Sequence, residues 1–140
     1  MVAINLKQIN KAQENWGNGI VSIGKAYSEN SNYKDVAQEA VDELYAYNNG
    51  SNQVLFKPTL AKDTPFRKTK EGALSYLIAG NDKFSEDKGF ALKPWVKVEF
   101  ENDQIIISSD NALAMVFHVL GEILIIPCAA NLRKGIGTFA

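Results

Sequence analysis

Among the 140 residues of this chain, the groups best suited to moving protons are a lone histidine, His118, and the adjacent carboxylates Glu86 and Asp87. Imidazole titrates near neutrality, so a histidine in an apolar pocket can take up or release a proton during a reaction. By strand alternation His118 shares a face with Ala112, Ala114, Val116 and Leu120, one polar group on an apolar wall. The competing reading is a structural histidine satisfied by its neighbours. Asp87 lies in the run Glu86-Asp87-Lys88, between Phe84 and Phe90. A carboxylate drawn into an apolar pocket becomes a general base, whereas neighbouring carboxylates in a loop are more often solvated.

A second constellation is aromatic. Trp16, Phe56, Tyr76 and Trp95, with Ile20, Met115 and His118, are the candidate lining of a pocket for a flat apolar ligand. Against this, a tryptophan on the apolar stripe of a helix is first of all a core residue. Glu39 and Glu43 fall four apart on one helix face, but with no partner histidine they read as a wet surface. One histidine and one cysteine, Cys128, exclude a histidine-rich or cysteine-based metal site within one chain, and neither a metal nor a cofactor is expected. No Walker motif or G-x-G-x-x-G run is present to cradle phosphate.

Composition bounds the class. Hydrophobic residues make up 46% and charged residues 22%, which suits one globular domain over residues 1–140. The net charge of −1 supplies no field for polyanions, so nucleic acid is not an expected partner. The single cysteine is compatible with a reducing, cytoplasmic setting, and the first residues lack the apolar run of a secretory signal. The apolar stretch 112–130 is interrupted by His118, Gly121-Glu122 and Pro127, and reads as two buried strands rather than a membrane span.

The elements that must position these groups follow from periodicity. Ile9, Trp16, Ile20, Ile23 and Tyr27 recur at spacings of seven, four, three and four, which predicts one long helix over 6–28. Gly17, Gly19 and Gly24 inside it imply close packing, a bend or an end. A second helix starts after the polar break 28–32, buries Val36, Ala37, Ala40, Val41 and Leu44, and stops at Asn48-Asn49-Gly50. A short strand is predicted over 53–57, and Thr69 caps a third helix over 70–79. Residues 81–94 read as loop. Beyond it Val96, Val98 and Phe100 alternate with charged residues as a strand, and Asn102-Asp103 reads as a hairpin turn into a strand over 104–108. Further strands are predicted over 112–120 and 123–130.

That order resembles the nuclear-transport-factor-two-like superfamily, which includes the SnoaL-like cyclases. The stretches Val54-Leu55-Phe56-Lys57-Pro58-Thr59-Leu60-Ala61, Phe66-Arg67, Glu71-Gly72-Ala73-Leu74-Ser75-Tyr76 and Glu86 through Trp95 are similar to a little-characterised bacterial branch of it. The resemblance implies an α+β cone: a curved antiparallel sheet wrapped around the long first helix, with two further helices and a cavity at the open end. Three functions stay open. The first is a binder of a small apolar molecule, without catalytic groups. The second is a cofactor-free lyase, isomerase or cyclase using His118 or Asp87 as base. The third is a protein-interaction module acting through the C-terminal strands. A homodimer is expected because Ile123-Leu124-Ile125-Ile126 is too apolar to face water.

Overall fold

A computed structural model describes residues 4–49, 54–93, 95–120, 124–133 and 136–139, with the backbone alone from residue 117 onward. Helix α1 spans Leu6–Ser28 and starts on a capping box. Asn5 Oδ1 accepts from the Gln8 N–H at 3.0 Å, and Gln8 Oε1 accepts from the Asn5 N–H at 2.9 Å. Two donors that a helix start leaves open are thereby satisfied. The buried face carries Ile9, Gln13, Trp16, Ile20 and Ile23, while Tyr27, the last member of the expected stripe, is exposed. Two of the helix glycines mark close approach. A Cβ at Gly17 would lie 3.1 Å from Val98 Cβ, and one at Gly19 would lie 3.2 Å from Leu44 Cδ1.

Helix α2, Tyr33–Leu44, buries Ala37, Val41 and Leu44. It stops before the asparagines, which form a separate 3-10 turn at Tyr47–Asn49. The expected terminator Gly50 lies outside the described residues. Helix α3, Lys70–Ile78, is capped as expected: Thr69 Oγ1 accepts from the Gly72 N–H at 3.1 Å. It is closed by Ala79 and Gly80, both at positive φ.

Four strands follow: β1 Val98–Ile107, β2 Asn111–Leu120, β3 Leu124–Arg133 and β4 Ile136–Phe139, paired antiparallel in the order β1-β2-β3-β4. The architecture is α+β, a cone-shaped curved antiparallel sheet wrapped around α1 with α2 and α3 as two further helices. Ridge contact between helix and sheet is made by Trp16 against Phe100, edge to face with centroids 5.9 Å apart, and by the Gly17–Val98 approach.

Several expectations are corrected. Asn102-Asp103 is no hairpin turn: β1 runs straight through it, and the register against β2 shifts between Asn102 and Gln104. A β-bulge accommodates the extra polar residue within one strand. Gln13 Nε2 and Oε1 exchange two hydrogen bonds with the Asn102 amide, at 2.6 and 3.0 Å, so the polar pair is used inside the fold. The strand expected over 53–57 does not form over 54–57, and residue 53 lies outside the described residues. Phe56 instead accepts one backbone bond from the Arg67 N–H, at 2.8 Å. The loop 81–94 contains single 3-10 turns at Asp82–Phe84 and Phe90–Leu92. Val96, expected to point inward, is 83% exposed ahead of the strand.

The interior is threaded by aromatic rings in series. Trp16 Nε1 donates to the Tyr45 hydroxyl at 3.0 Å, and Tyr45 lies 5.2 Å from Phe56, centroid to centroid. Phe56 meets Tyr76 edge-on at 6.0 Å, Tyr76 stacks on Phe90 at 5.4 Å, and Phe90 lies 6.1 Å from Trp95. Aromatic pairs in these geometries add stabilisation beyond their buried area.

Candidate functional site

Tyr76 stands where that packed series opens into a cavity. Helix α3 carries it, and the ring is held between Phe56 and Phe90. Beyond it lies a cavity of about 650 Å³, with Tyr27, Leu60, Phe90, Leu92 and Trp95 on its apolar walls. Glu86, Asp87, Lys88 and Lys93 form its polar side. Burial pushes the Tyr76 phenol up to about 12, and a backbone hydrogen bond at Leu60 works the other way. Tyr76 is therefore a hydrogen-bond donor throughout the neutral range. Trp95 is fixed by its indole N–H, which donates to the Phe90 carbonyl at 2.9 Å, and Lys93 Nζ sits 4.6 Å from the Trp95 ring centroid. That arrangement is a cation–π contact.

The polar side is a loop tied down by charge. Arg67, 1% exposed, donates from both terminal nitrogens to Asp87: Nη1 to Oδ2 at 2.6 Å and Nη2 to Oδ1 at 2.7 Å. Two parallel bonds between a guanidinium and a carboxylate fix angle as well as distance. Arg67 Nη1 also donates to the Gly72 carbonyl at 2.9 Å, and Nε to the Thr64 carbonyl at 2.9 Å. Its guanidinium carbon lies 4.4 Å over the Phe84 ring. The Asp87 bond above all, with the nearby charges of Asp87 and Glu86, raises the Arg67 pKa further. Ser75 Oγ donates to Asp87 Oδ2 at 2.6 Å, so the carboxylate is tied to α3 as well.

Glu86 serves a second segment. Its carboxylate accepts from the backbone N–H groups of Lys62 at 3.0 Å, Asp63 at 2.6 Å and Thr64 at 3.4 Å, and from Arg67 Nη2 at 3.3 Å. The Asp63 N–H above all, then those of Lys62 and Thr64 and the Arg67 charge, hold the Glu86 carboxyl below its ordinary value of 4.5, against a smaller opposing effect of burial. Tyr47 completes the anchor by donating its hydroxyl to the Arg67 carbonyl at 2.7 Å.

The residues singled out in the sequence fall into four places. Tyr76, Trp95 and Asp87 share the cavity wall. Trp16 and Ile20 lie in the packed core, with Phe56 half-buried against it. Met115 is 55% exposed, on the opposite face of β2 from the buried Ala114 and Val116, so strand alternation carries it away from the others. The His118 side chain lies outside the described residues, and its backbone pairs with Phe100 and Ile126. Asp87 is not a loosely solvated loop residue: both its oxygens are taken up by Arg67, and one also by Ser75. Glu39 and Glu43 are exposed as expected. Arg67 and Ser75 were not among the candidate site residues, because partners 20 and 12 residues away from Asp87 leave no period in a sequence. Among the described residues, no three His, Cys, Asp or Glu side chains cluster so as to hold a metal ion.

Comparison with known proteins gives a consistent result. A family model described as metal-independent carbonic anhydrase matches residues 7–122. A protein of Nostoc sp. (strain PCC 7120 / SAG 25.82 / UTEX 2576), named metal-independent carbonic anhydrase, is 40% identical over 116 residues. The alignment covers 81% of this chain, which spans 56% of that relative's length. The crystal structure of a cyanobacterial iota-carbonic anhydrase complexed with bicarbonate superposes with a TM-score of 0.85 at 35% identity, covering 94% of this chain and 84% of that one. These matches overturn the assignment to a SnoaL-like branch. Element order describes a fold, and one fold hosts many families.

Proposed function

We propose that this chain, which belongs to the metal-independent carbonic anhydrase family, binds bicarbonate in the cavity beside Tyr76 and interconverts it with carbon dioxide. The reaction combines carbon dioxide with water to give bicarbonate and a proton, and no metal ion takes part in it. The family overturns the three functions the sequence left open: a non-catalytic binder of an apolar molecule, an isomerase or cyclase on an apolar substrate, and an interaction module. The proposed ligand is a small polar anion.

One observation carries the placement at this cavity. A buried phenol that keeps its proton shares a wall with the ammonium groups of Lys88 and Lys93. Bicarbonate needs donors and positive charge, and both are supplied there. Carbon dioxide is apolar, and the Phe90 and Trp95 rings offer it an apolar surface. A donor already aimed at the place where an oxyanion forms needs no reorganisation during the reaction.

The test is oxygen-18 exchange between labelled carbon dioxide and water, followed by mass spectrometry on chelator-dialysed protein. Exchange well above the buffer rate, retained in chelator, is expected. A rate equal to buffer refutes the proposal. A homodimer belongs to the same reading, supported by Ile106, Leu113 and Met115, which are all exposed on β1 and β2. So does a cytoplasmic setting, supported by the single cysteine. Among the described residues no helix is long and apolar enough to cross a membrane.

A further inference from the structure

A four-heavy-atom anion fills only a small part of a 650 Å³ cavity. Shape alone cannot hold bicarbonate there, so its orientation depends on donors kept at a fixed spacing. Tyr76 is on α3, whereas Lys88 is on a loop outside any helix or strand. One network of hydrogen bonds spans the two. Arg67 holds α3 through the Gly72 carbonyl and the loop through Asp87, at 2.9 Å and at 2.6 and 2.7 Å. Ser75, the residue before Tyr76, closes the figure by donating to Asp87, the residue before Lys88, at 2.6 Å. Both prospective ligand-binding residues are thus one position beyond a member of the same buried network.

We propose that Arg67, acting through Asp87 and Ser75, is the positioning residue that sets the spacing of Lys88 and Tyr76 and hence the affinity of the cavity for bicarbonate. The inference rests on the function proposed above. Arg67 meets no substrate in this scheme; it acts on the two groups that do. A purely structural Arg67 would govern how much protein is folded, and leave the affinity of each folded molecule alone.

The experiment compares the unaltered chain with Ser75→Ala, Asp87→Asn and Arg67→Lys, assayed well below their melting temperatures. Steady-state kinetics separate KM from kcat, and hydrogen–deuterium exchange reports on segment 84–93. Ser75→Ala leaves the Arg67–Asp87 pair intact and keeps the fold, so it stands in should Arg67→Lys fail to fold. The expected result is a KM for bicarbonate raised about tenfold, with kcat changed much less and with faster exchange in 84–93. An unchanged KM in folded, active variants overturns the positioning role while the function stands. An inactive unaltered chain overturns the function, and the positioning role with it.

Discussion

Arg67 and Asp87 meet as a two-pronged ion pair, with N–O distances of 2.6 and 2.7 Å, and their side chains are 0% and 2% exposed. Charges so far from water are tolerable only as partners. Arg67→Met leaves the Asp87 carboxylate buried without its cation, and a loss of about 3–5 kcal/mol of stability is expected. Urea unfolding followed by tryptophan fluorescence measures it. A loss under about 1 kcal/mol would mean that water reaches the pair.

Tyr76→Phe removes one hydroxyl and keeps the ring stacked on Phe90. Loss of a preorganised donor to a developing oxyanion slows reactions about 10²–10³-fold, and carbon dioxide hydration is expected to fall by that order. Alkaline titration at 295 nm supplies an independent check. Burial raises the Tyr76 phenol from 10.0 to about 12, so the neutral form is favoured in the fold. That contribution is complete below pH 10 and is lost as pH rises toward 12. Tyr76→Phe removes one of the late-titrating phenols from the absorbance, while Tyr47, also raised by burial, remains; an unaltered curve would count against the buried phenol.

Glu86 acts with the opposite sign. Its folded pKa lies below 4.5, so its share of the stability is present above that value and declines as pH falls through the folded pKa. Glu86→Gln should lower the melting temperature at neutral pH and flatten its fall between neutrality and strong acid. Parallel acid limbs for the two proteins would show that the amides of Lys62, Asp63 and Thr64 do not prefer the charged form.

Trp16→Ala empties the junction between α1, Phe100 and Tyr45, and costs about 3–5 kcal/mol on the scale of large aromatic deletions in cores. Thermal melting reads the change, and an unaltered midpoint would contradict the burial of Trp16.

Gly89 sits at φ +81, and a Cβ there would come within 2.7 Å of Leu92 Cδ1. Gly89→Ala combines a left-handed backbone with a clash on the cavity wall. A cost of about 1–3 kcal/mol is expected, by chemical denaturation. Gly80→Ala, with positive φ but nothing within 4 Å, should cost less.

The first helix was legible from its one apolar stripe, while its glycines left close packing, a bend or an end open until the approaches of Val98 and Leu44 decided for close packing at Gly17 and Gly19. The cone followed from element order, and the family did not, since element order is shared more widely than chemistry. The cavity was half legible. Tyr76 and Trp95 announce themselves as large aromatics, but Arg67 and Glu86 act by meeting partners 20 or more residues away, with α3 in between. Phe66-Arg67 and Glu86-Asp87, two of the stretches that carried the resemblance, are the ones that build the charged anchor. The bulge was misread because Asn-Asp is turn chemistry, and only the docking of Gln13 shows that it is used otherwise.

That bulge also acts as a phase switch. Before it, the half-buried positions of β1 carry even numbers, Val98, Phe100 and Asn102; after it the sheltered position is odd, Ile105. Excising Asp103 would remove the extra residue, restore strict alternation and leave Ile105 on the sheltered side, still paired with Ala114. Losing Asp103 should therefore disturb the sheet less than losing any paired residue inside the strand, because both halves of β1 stay in phase with β2.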